Sequence, residues 1–171
     1  MKILLLGYMG SGKSTIGSLL AEKLELPFID LDYAIKIAEG MSINAIFQQK
    51  GEIYFRKRER QLFSDFMQSQ DSFVLSLGGG TPCYANNHEL LNGNRVVSFY
   101  LKTSVTSLLN RLKLQNEVRP LLSGKSDDEM RDYIAQHLFE RSYFYHQATV
   151  VVTTDDKSPQ AIADEIKDYL R

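Results

Sequence analysis

The residues best suited to chemistry begin at Gly7-Tyr8-Met9-Gly10-Ser11-Gly12-Lys13-Ser14-Thr15, which fits G-x-x-x-x-G-K-[ST] without a mismatch. Glycines let the backbone wrap so closely that several N–H groups converge on phosphate oxygens. The helix that follows adds its positive N-terminal end, Lys13 reaches the β- and γ-phosphates, and the Ser14 hydroxyl is a Mg²⁺ ligand. This is the pattern of a nucleotide phosphate site.

Acids and arginines further along suit a small second substrate. Asp30 and Asp32 close the stretch Pro27-Phe28-Ile29-Asp30-Leu31-Asp32. Either they act as a Mg²⁺-shell acid and a partner or base for a substrate hydroxyl, or Asp32 merely caps a helix beginning at Tyr33. The run Phe55-Arg56-Lys57-Arg58-Glu59-Arg60 reads as a solvated helix face with Glu52 supporting Arg56 at i,i+4, or as one from which an arginine turns inward to grip an anion. Phe55 and Leu62 mark its buried side, with Arg56 or Glu59 at the margin. Gly78-Gly79-Gly80 offers backbone N–H groups that a ligand can touch directly, or it is a flexible turn. Residues 115–125 are polar at both ends and broken by Pro120 and Gly124, so they read as a loop or lid. Arg119 there suits closure over a transferring phosphate, unless it is an ordinary surface arginine. Arg141 lies on an otherwise apolar helical stripe and must pair with an acid or bind an anion. Cys83 reads as a buried inert thiol, and the three scattered histidines offer no metal spacing.

The elements that must position these groups follow from periodicity. Residues 2–6 form an apolar run typical of a buried parallel strand, and residues 15–24 place Ile16, Leu19, Leu20 and Leu24 at helical spacing. A strand at 28–30 completes strand–helix–strand, which implies a right-handed crossover and an α/β sheet. Residues 33–70 read as helices punctuated by Gly40 and Gly51. Further strands are expected at 72–77, 95–101 and 148–152. Helices are expected around 87–91, up to Arg111, over 127–145 and to the C-terminus at Arg171. In such sheets ligands gather at the carboxyl ends of strands, which puts Asp30 and Asp32 beside the P-loop.

Bulk properties narrow the class. A chain of 171 residues with 43% hydrophobic and 24% charged content is expected to form one domain, 1–171, with a full core. A net charge of −1 gives no field for holding nucleic acid by its backbone. No apolar stretch approaches the ~20 residues of a membrane span, and the first strand starts too early for a signal peptide. One cysteine rules out an internal disulfide, so a cytoplasmic protein is expected. Neither N-K-x-D nor D-x-x-G occurs as a GTPase needs, and no later strand ends in the Asp of a motor ATPase. A small-substrate phosphotransferase remains, in which the protein supplies positioning and charge neutralisation.

The chain resembles the shikimate kinases nearly end to end. The matching stretches are Met9-Gly10-Ser11-Gly12-Lys13-Ser14-Thr15, Asp30-Leu31-Asp32, Ser42-Ile43 with Ile46-Phe47, Gly51-Glu52 with Phe55-Arg56, Ser76-Leu77-Gly78-Gly79-Gly80, Arg119-Pro120-Leu121-Leu122, and Glu140-Arg141 with Tyr145. The resemblance implies ATP-dependent phosphorylation of the shikimate 3-hydroxyl, on the way to chorismate and the aromatic amino acids. It implies a monomer with a five-stranded parallel sheet flanked by helices, a shikimate-binding helical region at 32–60 and a lid at 112–124. By motif match, Gly10, Ser11, Gly12, Lys13, Ser14 and Thr15 would hold ATP, with Ser14 on Mg²⁺ and Asp30 in its outer shell. Asp32 would hold ring hydroxyls and act as base. Arg56 and Arg141 would grip the carboxylate beside the N–H groups of Gly78, Gly79 and Gly80, while Lys13 and Arg119 would neutralise the moving phosphoryl. Phe47 and Phe55 would wall the pocket against water.

Two departures stand out. The arginine that some relatives set against adenine is Leu112 here, leaving Arg111 or Lys113 to substitute, and Thr81-Pro82-Cys83 after the glycines is atypical. Two rival readings share the P-loop. A gluconate or other small-metabolite kinase would lack the Arg56–Arg141 pair in this order, and a non-catalytic ATP-binding regulatory module would have no need of a base at Asp32.

Overall fold

The computed structural model describes residues 1–114 and 126–171. Its centre is β1 (Lys2–Leu6), where Ile3, Leu4, Leu5 and Leu6 are all fully buried. β1 is the middle strand of a five-stranded parallel sheet ordered β2-β3-β1-β4-β5, with β2 at Phe28–Asp30, β3 at Phe73–Ser76, β4 at Val96–Lys102 and β5 at Val150–Thr153. Leu4 sits in register with Leu75 of β3 and Ser98 of β4. A central parallel strand is covered on both faces, which is why β1 is apolar from Ile3 to Leu6 instead of alternating.

Successive side chains of β1 feed two separate cores. Ile3 and Leu5 pack with Ile16 and Leu20 of α1 (Lys13–Leu24) and Ile162 and Ile166 of α6 (Pro159–Tyr169). Leu4 and Leu6 face the other layer. There they meet Ile35 of α2 (Leu31–Glu39), Phe55 and Phe63 of α3 (Ile43–Gln68), Leu108 of α4 (Val105–Leu114) and Ile134 of α5 (Asp127–Tyr145). This second layer carries most of the candidate substrate residues. Among the described residues, no helix is long and apolar enough to cross a membrane.

Local rules set the boundaries. Asp30 is the N-cap of α2, accepting a hydrogen bond from the Tyr33 N–H at 3.1 Å. The helix therefore starts at Leu31, two residues before the expected Tyr33, and the cap is Asp30 instead of Asp32. Gly40 ends α2 in the left-handed conformation, and Ser42 caps α3 through the Ala45 N–H. α4 continues to Leu114, because Leu112 packs against the P-loop at Gly10. Residues 112–114, the first of the expected lid, are the last residues of this helix. The rest of the expected lid, including Arg119, lies outside the described residues. β5 begins at Val150, two residues later than the sequence pattern suggests, and the turn at Thr81–Cys83 is a short 3-10 helix.

Within α3, Gly51 has φ 82° and ψ 168° and separates two helical runs, the second carrying Arg56. That conformation is almost confined to glycine, and no neighbouring atom lies where a Cβ would go. The penalty for a side chain is therefore purely one of backbone strain. Gly51→Ala is expected to lower stability by about 1–3 kcal/mol, read as a shift in the urea midpoint with an unchanged slope.

Candidate active site

The phosphate loop joins β1 to α1. Gly10 and Gly12 take φ of 81° and 93°, and Gly12 caps α1 without any side-chain hydrogen bond. The first N–H groups of α1 are thereby left for an anion. Lys13 folds over the loop, its Nζ donating to the carbonyls of Gly7 at 2.8 Å and Tyr8 at 2.9 Å. The hydroxyl of buried Ser11 has no hydrogen-bond partner among the described residues. The Ser14 hydroxyl donates to Asp30 Oδ2 at 3.0 Å. One hydroxyl and one carboxylate so placed at the lip of a phosphate cradle fit a hard divalent cation that takes its remaining ligands from phosphate and water.

Arg111 lies across the outside of this loop. Its guanidinium donates to the carbonyls of Gly10 at 3.5 Å, Ser11 at 3.4 Å and Thr154 at 3.2 Å. Lys113 pairs with Asp127 instead. Of the two candidates for the nucleotide side, the structure brings Arg111 to the P-loop and leads Lys113 away from it.

A cleft of about 230 Å³ runs from the P-loop to Asp30, Asp32 and residues 76–79. Beyond it the candidate substrate residues converge on the glycine turn. A Cβ on Gly78 would lie 2.9 Å from Asp32 Oδ1, one on Gly79 would lie 3.5 Å from Arg141 Nη1, and one on Gly80 would lie 3.0 Å from Arg56 Nη2. A side chain at Gly78 or Gly80 would crowd the charged ends of Asp32 and Arg56, whereas one at Gly79 would make ordinary contact with Arg141.

Each charged group is held by its own contacts. Arg56 Nη1 bonds Glu59 Oε2 at 2.9 Å, while the expected Glu52 contact is looser at 3.5 Å. Glu59 is 1% exposed and also accepts from the Thr81 hydroxyl at 2.6 Å. Within the charged run, Arg58 binds Glu39 and Arg60 binds Asn87, so Arg56 is the arginine that turns to the turn of glycines. The Tyr145 hydroxyl, whose dipole favours the charged form of Arg141, donates to the Gly79 carbonyl at 2.7 Å. Among the described residues no carboxylate pairs with Arg141, which favours the anion-binding alternative for it. The rings of Phe47 and Phe55 stand 4.7 Å apart beside Arg56.

Electrostatics separates the acids by task. Asp32 opens onto the cleft, yet the enclosing walls thin its hydration and push its pKa up to about 6, with Asp30 and Glu59 adding to the rise and Lys13 and Arg56 opposing it. Cys83 sits near both arginines, but burial raises its thiol to about 11, keeping it protonated and unreactive at neutral pH. The sequence placed Glu59 only at a margin. Its anchoring role depends on Thr81, which arrives from a distant strand end.

A parallel sheet with a P-loop after its central strand and an acid at the end of the neighbouring crossover is the build of a P-loop kinase. Comparison with known proteins narrows this class. The shikimate kinase family profile matches residues 9–171. A shikimate kinase of Flavobacterium psychrophilum is 48% identical over 99% of this chain and 98% of its own length. The crystal structure of shikimate kinase from Bacteroides thetaiotaomicron superposes with a TM-score of 0.90 at 35% identity, covering 99% of this chain and 98% of that one. Shikimate kinase from Acinetobacter baumannii in complex with shikimate gives a TM-score of 0.86 at 32% identity, over 99% and 92% of the two chains. The chain belongs to the shikimate kinase family.

Glu59→Ala would leave Arg56 without its buried partner and orphan the Thr81 hydroxyl. A loss of about 3–5 kcal/mol is expected, measured by chemical denaturation. A change under 1 kcal/mol would show that water replaces the pair without penalty.

Proposed function

We propose that this chain transfers the γ-phosphoryl group of ATP to the 3-hydroxyl of shikimate. The observation that carries the reading is the convergence of Asp32, Arg56 and Arg141 on one glycine turn, at the end of a cleft that begins in the phosphate loop. Shikimate is a small monoanion bearing hydroxyls, and two guanidinium groups with one carboxylate answer that composition.

In this reading the substrate carboxylate docks between Arg56 and Arg141, and the Gly79 and Gly80 backbone closes around it. That anchoring turns a ring hydroxyl toward Asp32, whose carboxylate accepts its proton. The freed oxygen then forms its bond to the γ-phosphorus as the bond to the bridging oxygen of ADP breaks, and the electron pair leaves on ADP. The P-loop N–H groups and Lys13 stabilise the charge that gathers on the phosphoryl oxygens. Arg119, outside the described residues, is the further cation that the sequence offers for this task. Ser14 and Asp30 would hold Mg²⁺, which supplies charge neutralisation across the β- and γ-phosphates when bound. Arg111 would flank the nucleotide base from its seat on the P-loop.

The direct test is shikimate-dependent release of ADP. Turnover of gluconate but not of shikimate would overturn the assignment. Asp32→Asn is expected to lower kcat by about two to four orders of magnitude while ATP binding persists, because the amide takes up no proton. Wild-type turnover in that variant would reduce Asp32 to a structural residue.

The pH dependence follows from the raised carboxyl. The reaction needs the ionised form, so kcat/KM for shikimate should be level above pH 7 and decline tenfold per unit below about 6. A profile flat down to pH 5 would contradict the base role. Arg56→Ala and Arg141→Ala should each weaken shikimate binding by about 2–5 kcal/mol, seen as a raised KM at unchanged KM for ATP. Two variants with an unaltered shikimate KM would dismiss the clamp.

A further inference from the structure

Beyond the glycine turn lies a segment that the proposed reaction leaves unused, from Thr81 to Asn87. Its Tyr84 ring lies over the Arg56 guanidinium, with the central carbon 3.9 Å from the ring centroid. Phe55 approaches the same group at 5.1 Å, and the Gly80 backbone comes close enough that a Cβ would fall 3.0–3.4 Å from Nη2, Nη1 and the central carbon. Arg56 is therefore confined by an aromatic face, a bare backbone and the Glu59 carboxylate. Its Nη1 and Nε are taken by Glu59 and Glu52, and Nη2 has no hydrogen bond to any described residue. A guanidinium so held presents one set of donors in a fixed direction.

The placement of Tyr84 is built into the chain. Immediately after it, Ala85 and Asn86 both adopt left-handed φ, 49° and 55°. Alanine avoids that region, and such a conformation persists where the surroundings over-determine it. Here the fully buried Asn87 supplies the restraint. Its amide donates to the Thr81 carbonyl at 2.8 Å, its Oδ1 accepts from Arg60 at 3.1 Å, and its backbone N–H returns to the Tyr84 carbonyl at 2.9 Å. Arg60 thus belongs to the same helix as Arg56 and ties the turn to it.

We propose that Tyr84 is a positioning residue of the carboxylate clamp: its ring, seated by the Ala85-Asn86 reversal, holds Arg56 in the orientation that leaves Nη2 for the substrate carboxylate. Tyr84 is 40% exposed, so it contributes little to the core, and the contact of its ring with Arg56 is what its removal takes away. This inference rests on the shikimate reading above. It assigns a role to the stretch after the glycines that departs from the family pattern.

The test compares Tyr84→Ala and Tyr84→Phe with the wild-type chain, using shikimate, its carboxamide and ATP. Tyr84→Ala should raise the shikimate KM about three- to thirty-fold, the range of a cation–π contact, with kcat and the ATP KM close to wild type. Tyr84→Phe keeps the ring and should restore the wild-type KM. The preference for shikimate over the carboxamide should shrink in Tyr84→Ala and return in Tyr84→Phe. An unchanged shikimate KM in Tyr84→Ala, or an equal fall in turnover of both substrates, would overturn the positioning role while leaving the shikimate reading intact. Absence of shikimate turnover in the wild-type chain would remove that reading and this inference with it.

Discussion

Two guanidinium groups beside one short turn repel each other and lose hydration together, and the rest of the site is arranged around that constraint. Arg56 and Arg141 both flank the glycines at 78–80, yet they are stabilised by different means. Arg56 has a buried carboxylate partner in Glu59, and Arg141 has the Tyr145 hydroxyl and the face of Tyr8, 5.4 Å from its central carbon. Arg56 also meets Glu52, and Asp32 flanks Gly78, so Arg141 is the cation of the two with no carboxylate partner among the described residues. An anion beside Arg141 would supply the partner that the described residues do not.

The sheet makes this arrangement affordable in space. All five strands run parallel, so their carboxyl ends lie on one side, and the phosphate loop after β1 and the glycine turn after β3 become neighbours. β2 pairs with the other edge of β3 and delivers Asp30 to Ser14 on α1. Asp30 then serves two elements at once, capping α2 and accepting from the Ser14 hydroxyl of α1. Asp32, two residues on, is displaced into the cleft and raised in pKa first by burial and then by Asp30 and Glu59. Two carboxylates two residues apart are thus given different surroundings.

Membership of the shikimate kinase family joins these physical observations to a known chemistry, since the relatives match along almost the whole chain. Leu112 packs on Gly10, while Arg111 one residue earlier reaches the P-loop carbonyls. A one-residue step rotates a helical side chain by about 100°, which gives the two neighbours different sides of the loop.

The sequence alone determined the phosphate loop, the α/β class and the identity of the charged residues worth following, because spacing along the chain dictates backbone wrapping and helical or strand periodicity. It also showed the breaks at Gly40 and Gly51, since glycine is the residue that takes their backbone angles. What only the tertiary structure decided is which alternatives were real. Asp30 and not Asp32 caps α2, Glu59 and not Glu52 is the chief partner of Arg56, and Tyr84 covers that arginine. Local sequence weighs i,i+3 and i,i+4 pairs almost equally. The choice between them was made by Thr81 and Tyr84, which approach α3 from the far end of β3, a distance along the chain over which no periodicity carries information.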